Sequence, residues 1–366
     1  MRVSAALIVR NEEAHLGACL ACVTPIVDEI IVVDTGSTDR SPDIALENGA
    51  LLLREPWRDD FSRARNVALA HATGEWILYI DADERVRLHD SLDSVLKNPK
   101  VVAARVRFRA SSKLTPYAEH RVFRNRPDIR FRGVIHETVV PDLRAVIDKE
   151  SAIVVDAPLS IEHLGYEGDL QAKHRRNLPL LRRAVEEDPE RIFLWHALGE
   201  AARGLNDSDS AQHSWRRALA SLRGRAPLPL DVLIYADLMD LHFSENELAD
   251  IDQLVAEAGV RHADDPLVLW WTARHLAATA DFEQARAKLE QLQDFGADGP
   301  PEASLGYDTR LFGEFVWALM GVCWLNEGNP DRAVEWLRRA EEANPDNLEV
   351  RTKLKLADGR ARSGSA

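Results

Sequence analysis

The sequence predicts an α/β domain with a doubly wound parallel sheet, followed by an all-α domain. Three observations carry this expectation. From residue 3 to about residue 84, short apolar runs that end in polar loops alternate with helical patterns. One of those runs, Trp76-Ile77-Leu78-Tyr79-Ile80, passes directly into Asp81, Asp83 and Glu84. From Asp169 onward no strand-like run returns, and leucine, alanine, tryptophan and arginine recur at helical spacing.

The elements follow in order. Val3 to Val9 is an apolar run suited to a strand buried on both faces, and it ends in Arg10-Asn11-Glu12-Glu13. The pattern Leu16, Cys19, Leu20, Val23 predicts a helix. Glu29 to Val33 is the second strand, closing in Asp34-Thr35-Gly36-Ser37-Thr38-Asp39. Ser41 and Pro42 are placed as N-cap and first-turn residue of the next helix, which Gly49 stops. Ala50 to Leu53 is a third strand, and a helix through Val67 to Ala72 precedes the Trp76 strand. Arg105, Arg107 and Arg109 alternate with Val106 and Phe108, so a later strand displays a basic face, a candidate diphosphate or acceptor site.

Composition narrows the function. The 366 residues suffice for about two domains, and 45% hydrophobic with 29% charged residues is ordinary for a soluble protein. A formal net charge of -14 argues against non-specific nucleic-acid binding. No run approaches the roughly 18 apolar residues of a transmembrane segment, and no signal peptide is visible, so a cytoplasmic location is expected. Cys19, Cys22 and Cys323 make no disulfide framework, and the Cys19/Cys22 pair falls on a helical core pattern.

The chemistry centres on Asp81 and Asp83. Ligands of open α/β sheets sit outside the carboxyl ends of the strands, where these side chains would project. Carboxylates this close repel unless a cation neutralises them, and Mg²⁺ is usually held by one or two carboxylates plus substrate phosphates. A solvated turn after a strand is the plainer reading of an isolated Asp-x-Asp. Asp34, at another strand end, is placed to hydrogen-bond a base or ribose, or else to close an Asx-turn. Arg63 and Arg65 begin a helix, where cations either await an anion or answer Asp59 and Asp60.

Four stretches in order resemble the nucleotide-sugar half of family 2 glycosyltransferases of GT-A (Rossmann-like) fold. They are Leu-Ile-Val-Arg-Asn-Glu-Glu at 7 to 13, Ile-Ile-Val-Val-Asp-Thr-Gly-Ser-Thr-Asp at 30 to 39, Ala-Arg-Asn at 64 to 66, and Gly-Glu-Trp-Ile-Leu-Tyr-Ile-Asp-Ala-Asp-Glu at 74 to 84. The resemblance implies a nucleotide-sugar site, with a UDP-hexose donor, built from Arg10, Asn11, Glu12, Asp34, Arg65, Asn66, Asp81, Ala82 and Asp83. Asp34 would contact the base, Asp81 would lie near ribose and metal, and Asp83 would coordinate Mg²⁺ or Mn²⁺. Phe131 to Glu137 and Ile161 to Tyr166 resemble segments of bacterial members with helical-repeat tails, some of which glycosylate peptides. Inverting transfer needs a base, for which Glu137 is the first choice against a structural Glu-Arg pair, with Asp60 in reserve. His163 is read as a third metal ligand or a hydrogen-bonded structural histidine, and His136 carries the same alternatives.

In the second half, residues 170 to 187 read as a helix stopped by Asp188-Pro189. Trp195, Leu198, Gly199, Ala211, Trp215 and Ala218 match the helix-turn-helix pattern of tetratricopeptide repeats. Trp317, Gly321, Ala333, Leu337, Ala340 and Pro345 repeat it, Ala285 and Leu289 form a weaker copy, and 231 to 258 is a degenerate pair of helices. Stacked repeats present an extended surface for a peptide or protein acceptor, or for homodimerisation. The expected divisions are 1–168, 169–357 and a frayed tail at 358–366. The leading expectation is a metal-dependent inverting glycosyltransferase with a protein or peptide acceptor. Transfer to a lipid-linked or cell-surface glycan, and a non-catalytic repeat scaffold, are the competing readings.

Overall fold

A computed structural model describes residues 2–164, 170–245, 247–301 and 303–364. Two compact units divide it, the first comprising residues 1–112 and 116–194, the second 113–115 and 195–366.

The first unit is built on one eight-stranded sheet. Its strands are β1 (Val3–Val9), β2 (Glu29–Asp34), β3 (Leu51–Arg54), β4 (Trp76–Tyr79), β5 (Glu84–Leu88), β6 (Val101–Arg109), β7 (Tyr117–Arg124) and β8 (Ile153–His163), in the order β3-β2-β1-β4-β7-β6-β8-β5. The first four strands are parallel, as the alternation of apolar runs and helices predicts. Beyond β4 the sheet departs from the expected parallel winding. β7 pairs antiparallel with β4 and β6, and β5 pairs antiparallel with β8, so the sheet is mixed.

Side-chain alternation sorts the core into two layers. Leu7, Val32 and Leu78 pack on one face with Leu16, Cys19 and Leu20 of helix α1 (Leu16–Val23). Ala6, Ile31 and Ile77 pack on the other with Ala68 and Leu69 of α3 (Phe61–His71) and with Leu143 and Val146 of α5 (Val140–Glu150). The helix α2 (Ser41–Glu47) begins one residue earlier than its cap was expected. Arg40 occupies the N-cap position and Ser41 the first turn, because the Ser41 hydroxyl is taken by the Glu12 amide at 2.7 Å. A short helix α4 (Asp93–Leu96) follows β5, and α6 (Leu170–Glu187) ends before Pro189.

The first compact unit runs on to residue 194, past the compositional break at 168/169, because α6 lies within it. Arg183 of α6 donates to the Asp59 carbonyl at 2.5 Å, and Arg191 donates to the His136 carbonyl at 2.5 Å.

The second unit is helical: α7 (Ile192–Gly204, begun within the first unit), α8 (Ser208–Ser221), α9 (Asp231–Glu245), α10 (Leu248–Arg261), α11 (Pro266–Ala278), α12 (Phe282–Gln293), α13 (Glu314–Asn326), α14 (Pro330–Ala343) and α15 (Leu348–Gly364). The pairs α7/α8, α11/α12 and α13/α14 are the hairpins that the repeat pattern predicts, and α9/α10 is the degenerate pair. Their anchor alanines, Ala211, Ala285 and Ala333, are fully buried. The tail expected to fray from 358 is instead the last part of α15, where Ala357 is still buried; 365 and 366 lie outside the described residues.

Glycine permits the close approach of paired helices. A Cβ at Gly199 would run into the Trp215 indole, whose Nε1 donates to the His196 carbonyl at 3.2 Å. Gly199→Ala is therefore expected to destabilise the protein by about 1–3 kcal/mol in urea unfolding, with the Trp215 indole displaced. A variant as stable as wild type would refute this packing account.

Candidate functional site

A cavity of about 720 Å³ opens at the carboxyl ends of β1, β2 and β4. Arg10, Glu12, Thr35, Trp57, Phe61 and Arg65 line it, with Asp81 to Asp83, Ile135 to Glu137 and His163. Lys173, Arg176 and Asn177 complete the wall from α6.

The centre of the site is a buried guanidinium. Arg65, on the first turns of α3, donates to Glu137 Oε1 at 2.5 Å and to Asp81 Oδ1 at 2.9 Å. Its guanidinium carbon lies 5.2 Å from the Tyr79 ring centroid and 5.4 Å from that of Phe131. Burial disfavours this charge, yet the two carboxylates outweigh it and raise the arginine pKa. For Asp81, burial acts against ionisation, and Arg65 followed by Arg121 reverses the balance and lowers its pKa. A second buried pair lies beside the first. Glu84 and Arg121 meet through two bonds, at 2.7 and 3.2 Å, and Glu84 also accepts from the Asp81 amide at 2.9 Å. This pair orients the Asp81 turn.

Asp83 and His163 face each other because β5 and β8 place Glu84 opposite His163 in register. His163 Nε2 lies 3.1 Å from Asp83 Oδ2. Burial opposes the charge on His163, but the hydrogen bond and charge of Asp83, with Glu84 and Asp81, raise its pKa. Glu12 is pushed up to about 7, first by burial and then by Asp83, Asp81 and Asp39. The carboxylates at this end are thus short of positive charge. Two aspartates and an imidazole are donor types that Mg²⁺ or Mn²⁺ takes, but among the described residues only His242, Glu247 and Asp250 bring three such donor atoms within 4.8 Å of one another, so this cavity offers a cation the Asp83 and His163 pair rather than a closed three-residue set.

Other expected site residues serve the loops. Asp34 accepts from the Ser37 amide at 3.0 and 3.3 Å, the Asx-turn alternative. Asn11, at φ 56°, receives the Thr38 amide on Oδ1 at 2.8 Å. Asn66 clamps the backbone of Phe131 through two bonds at 2.9 Å. Asp60, the reserve base, is the N-cap of α3 and receives the Arg63 amide at 2.9 Å, so its carboxylate is occupied by capping and is absent from the cavity lining. Glu137 forms the Glu-Arg pair that was the alternative to its role as base, and it lines the cavity. His136 packs edge-on against Phe193, with ring centroids 5.2 Å apart. The arginine stripe of β6 is away from this cavity's lining, and Arg105 pairs with Asp156 at 2.8 Å.

The sequence reading missed the α6 wall and the Glu84–Arg121 pair. The spacing of Lys173 and Arg176, three apart on a predicted helix, puts both on one face and was the available signal.

The sheet is mixed, and its parallel strands β1, β2 and β4 end at the cavity, the place where open α/β sheets bind their ligands. Residues 4–154 match the model of glycosyl transferase family 2. A TPR repeat-containing protein of Synechococcus elongatus is 39% identical over 250 residues, covering 65% of this chain and 62% of the relative. The SPbeta prophage-derived glycosyltransferase SunS of Bacillus subtilis is 30% identical over 203 residues, covering 51% and 46%. The chain therefore spans less than two thirds of either relative. Among solved structures, a glucosyl-3-phosphoglycerate synthase of Mycobacterium tuberculosis with Mn²⁺, UDP-glucose and phosphoglyceric acid aligns with 50% of this chain and 79% of its own, at 18% identity and a TM-score of 0.37. Among the described residues no helix is long and apolar enough to cross a membrane.

Two outcomes follow from the charges. Arg65→Met strands two carboxylates and is expected to cost about 3–5 kcal/mol in urea unfolding, most of it recovered when Asp81→Asn and Glu137→Gln are added. No recovery would show that the pair charges are not the cause. Because the folded pKa of Glu12 is raised, its contribution to stability is intact below about pH 4.5 and is lost as pH rises through about 7. Glu12→Gln should match wild type at pH 4 and exceed it at pH 8 by about 1–2 kcal/mol, after discounting for solvent screening. A difference independent of pH would contradict the assignment.

Proposed function

We propose that the chain is a metal-dependent, inverting glycosyltransferase that moves a sugar from a nucleotide-sugar donor to a peptide or protein acceptor recruited by the repeats. The observation that carries this reading is the cavity at the strand ends, where Asp81, Asp83, Glu12 and His163 gather beside the buried, carboxylate-paired Arg65. The match to the family 2 model supports the donor class. The helical hairpins support a recruited acceptor, since stacked repeats present a long continuous surface.

Asp83 and His163 would hold the cation, which supplies Lewis-acid neutralisation of the diphosphate when bound. Both residues line the cavity, and their 3.1 Å contact sets His163 Nε2 and Asp83 Oδ2 side by side. Asp81, held by Arg65 and by the fixed turn at Glu84, offers its remaining oxygen toward the ribose. In transfer, the bond from sugar C1 to the diphosphate oxygen breaks with its electron pair leaving on oxygen. The acceptor atom bonds to C1 from the opposite face, and its proton passes to a carboxylate. Glu137 is that base in this reading: Arg65 occupies Oε1, which fixes the carboxylate plane and leaves Oε2 for the acceptor.

Calorimetry with UDP-, GDP- and dTDP-sugars, with and without Mn²⁺, tests the reading on wild type and Asp83→Ala. One donor is expected to bind with metal and to lose that binding in the variant. Glu137→Gln should keep donor affinity and lower kcat by about 10²–10⁴-fold. Loss of donor affinity or of stability with kcat unchanged would reduce Glu137 to a structural partner of Arg65. Failure of every donor to bind wild type would sink the transferase reading.

A further inference from the structure

Of the cations lining the cavity, Arg65 is already paired with two carboxylates through Nε and Nη2, leaving only its buried Nη1 without a partner among the described residues. Arg10 and Arg176 are different. Among the described residues neither has a carboxylate oxygen within 4 Å, although the chain carries a surplus of acidic groups. The side-chain hydrogen bond of Arg176 goes to its own neighbour, Asn177 Oδ1, at 3.1 Å. Its guanidinium carbon lies 5.9 Å from the centroid of the Phe61 ring, which also lines the cavity, and the residue as a whole is exposed. The guanidinium is partly desolvated and repelled by Arg10, and both effects lower its pKa, with Glu12 opposing them.

Two guanidiniums that face one cavity and that no carboxylate pairs within 4 Å among the described residues repel each other, and Glu12 offsets this only in part. An anion of at least two charges relieves it, since each arginine presents a planar fork matched to phosphate oxygens. Arg10 follows β1 directly and Arg176 belongs to α6, so the two reach the same cavity from segments 166 positions apart in the chain. α6 follows the segment that matches the family model, and Arg183 of the same helix is tied to the Asp59 carbonyl of the loop before α3. The helix is thereby held at the cavity.

We propose that Arg176 of α6, together with Arg10, forms the anion subsite that binds the donor's diphosphate. This inference rests on the nucleotide-sugar reading above. It makes α6 part of the donor site, with Arg176 a binding residue for the group that gains charge when the sugar leaves. Lys173, one turn earlier on the same helix face, lines the same wall.

The test is calorimetry on the full chain with UDP, GDP and dTDP and with the matching nucleosides, with and without Mn²⁺. Arg176→Gln is expected to weaken the diphosphate that wild type binds by roughly 10- to 100-fold, the size of a lost charge-assisted contact. Its nucleoside should bind unchanged, and Arg176→Lys should recover part of the loss. Equal diphosphate affinity in wild type and Arg176→Gln would overturn the subsite while leaving the donor reading standing. Equal weakening of nucleoside and diphosphate would also overturn it, by moving Arg176 to the base or ribose. If wild type binds no diphosphate at all, the donor reading and this inference fall together. Thermal unfolding of each variant checks that the fold is intact, as expected for an exposed residue.

Discussion

The buried guanidinium of Arg65 is the constraint on which the first unit's site depends. It joins three segments remote in sequence: the start of α3, the turn after β4 and the loop at 133–137. Removing such a charge from water costs several kcal/mol, and it is offset only by good geometry and full pairing. Both carboxylates and two aromatic faces supply most of that pairing here, with Nη1 left as its one buried nitrogen without a partner among the described residues. The ring of Tyr79 lies between Arg65 and Arg121, whose guanidinium carbon is 4.6 Å from it, and Arg121 in turn holds Glu84. Acid, arginine and ring alternate in one buried network, so the Asp81 turn has a fixed orientation before any ligand arrives.

That network divides the cavity's charges into spent and unspent groups. Arg65 and Arg121 are consumed by Asp81, Glu137 and Glu84, and they stabilise the protein's own shape. Glu12 and Asp83 repel one another, and Arg10 and Arg176 do the same on the cationic side. In the proposed reading, a divalent cation bound to a nucleotide diphosphate would satisfy both sets at once. The positive φ of Asn11 and His136 belongs to the same economy of loops, since each residue turns the backbone where a wall of the cavity begins.

The helical unit rests on a different constraint, the distance between paired helices. Gly199 against Trp215 and Gly321 against Leu337 remove the side chain that would hold two helices apart. Three buried histidines are tied by carboxylates: His196 to Asp237 at 2.7 Å, His242 to Glu247 at 2.8 Å and His275 to Asp252 at 2.6 Å. These contacts are local to each hairpin and its neighbour, as expected of a quasi-one-dimensional array.

Period and composition alone determined the parallel strands β1 to β4, the helices between them and the repeat hairpins, because alternation and helical spacing are properties of neighbouring residues. The motifs around Arg10, Asp34, Arg65, Asp81 and Asp83 were legible for the same reason, each being a short contiguous stretch. Pairings between distant residues were not. Arg65 with Glu137, 72 positions apart, and Arg121 with Glu84, 37 apart, cannot be read from either segment, since an arginine's partner is set by where the sheet brings the chain. The antiparallel half of the sheet was equally hidden, and with it the facing of His163 and Asp83 across β5 and β8. Asp60 and Asn66 show the converse, where a residue type suited to chemistry is used by the backbone for a cap and a clamp. Only tertiary structure decides which polar group meets water, ligand or its own chain, because that choice is made by burial and distance rather than by residue type.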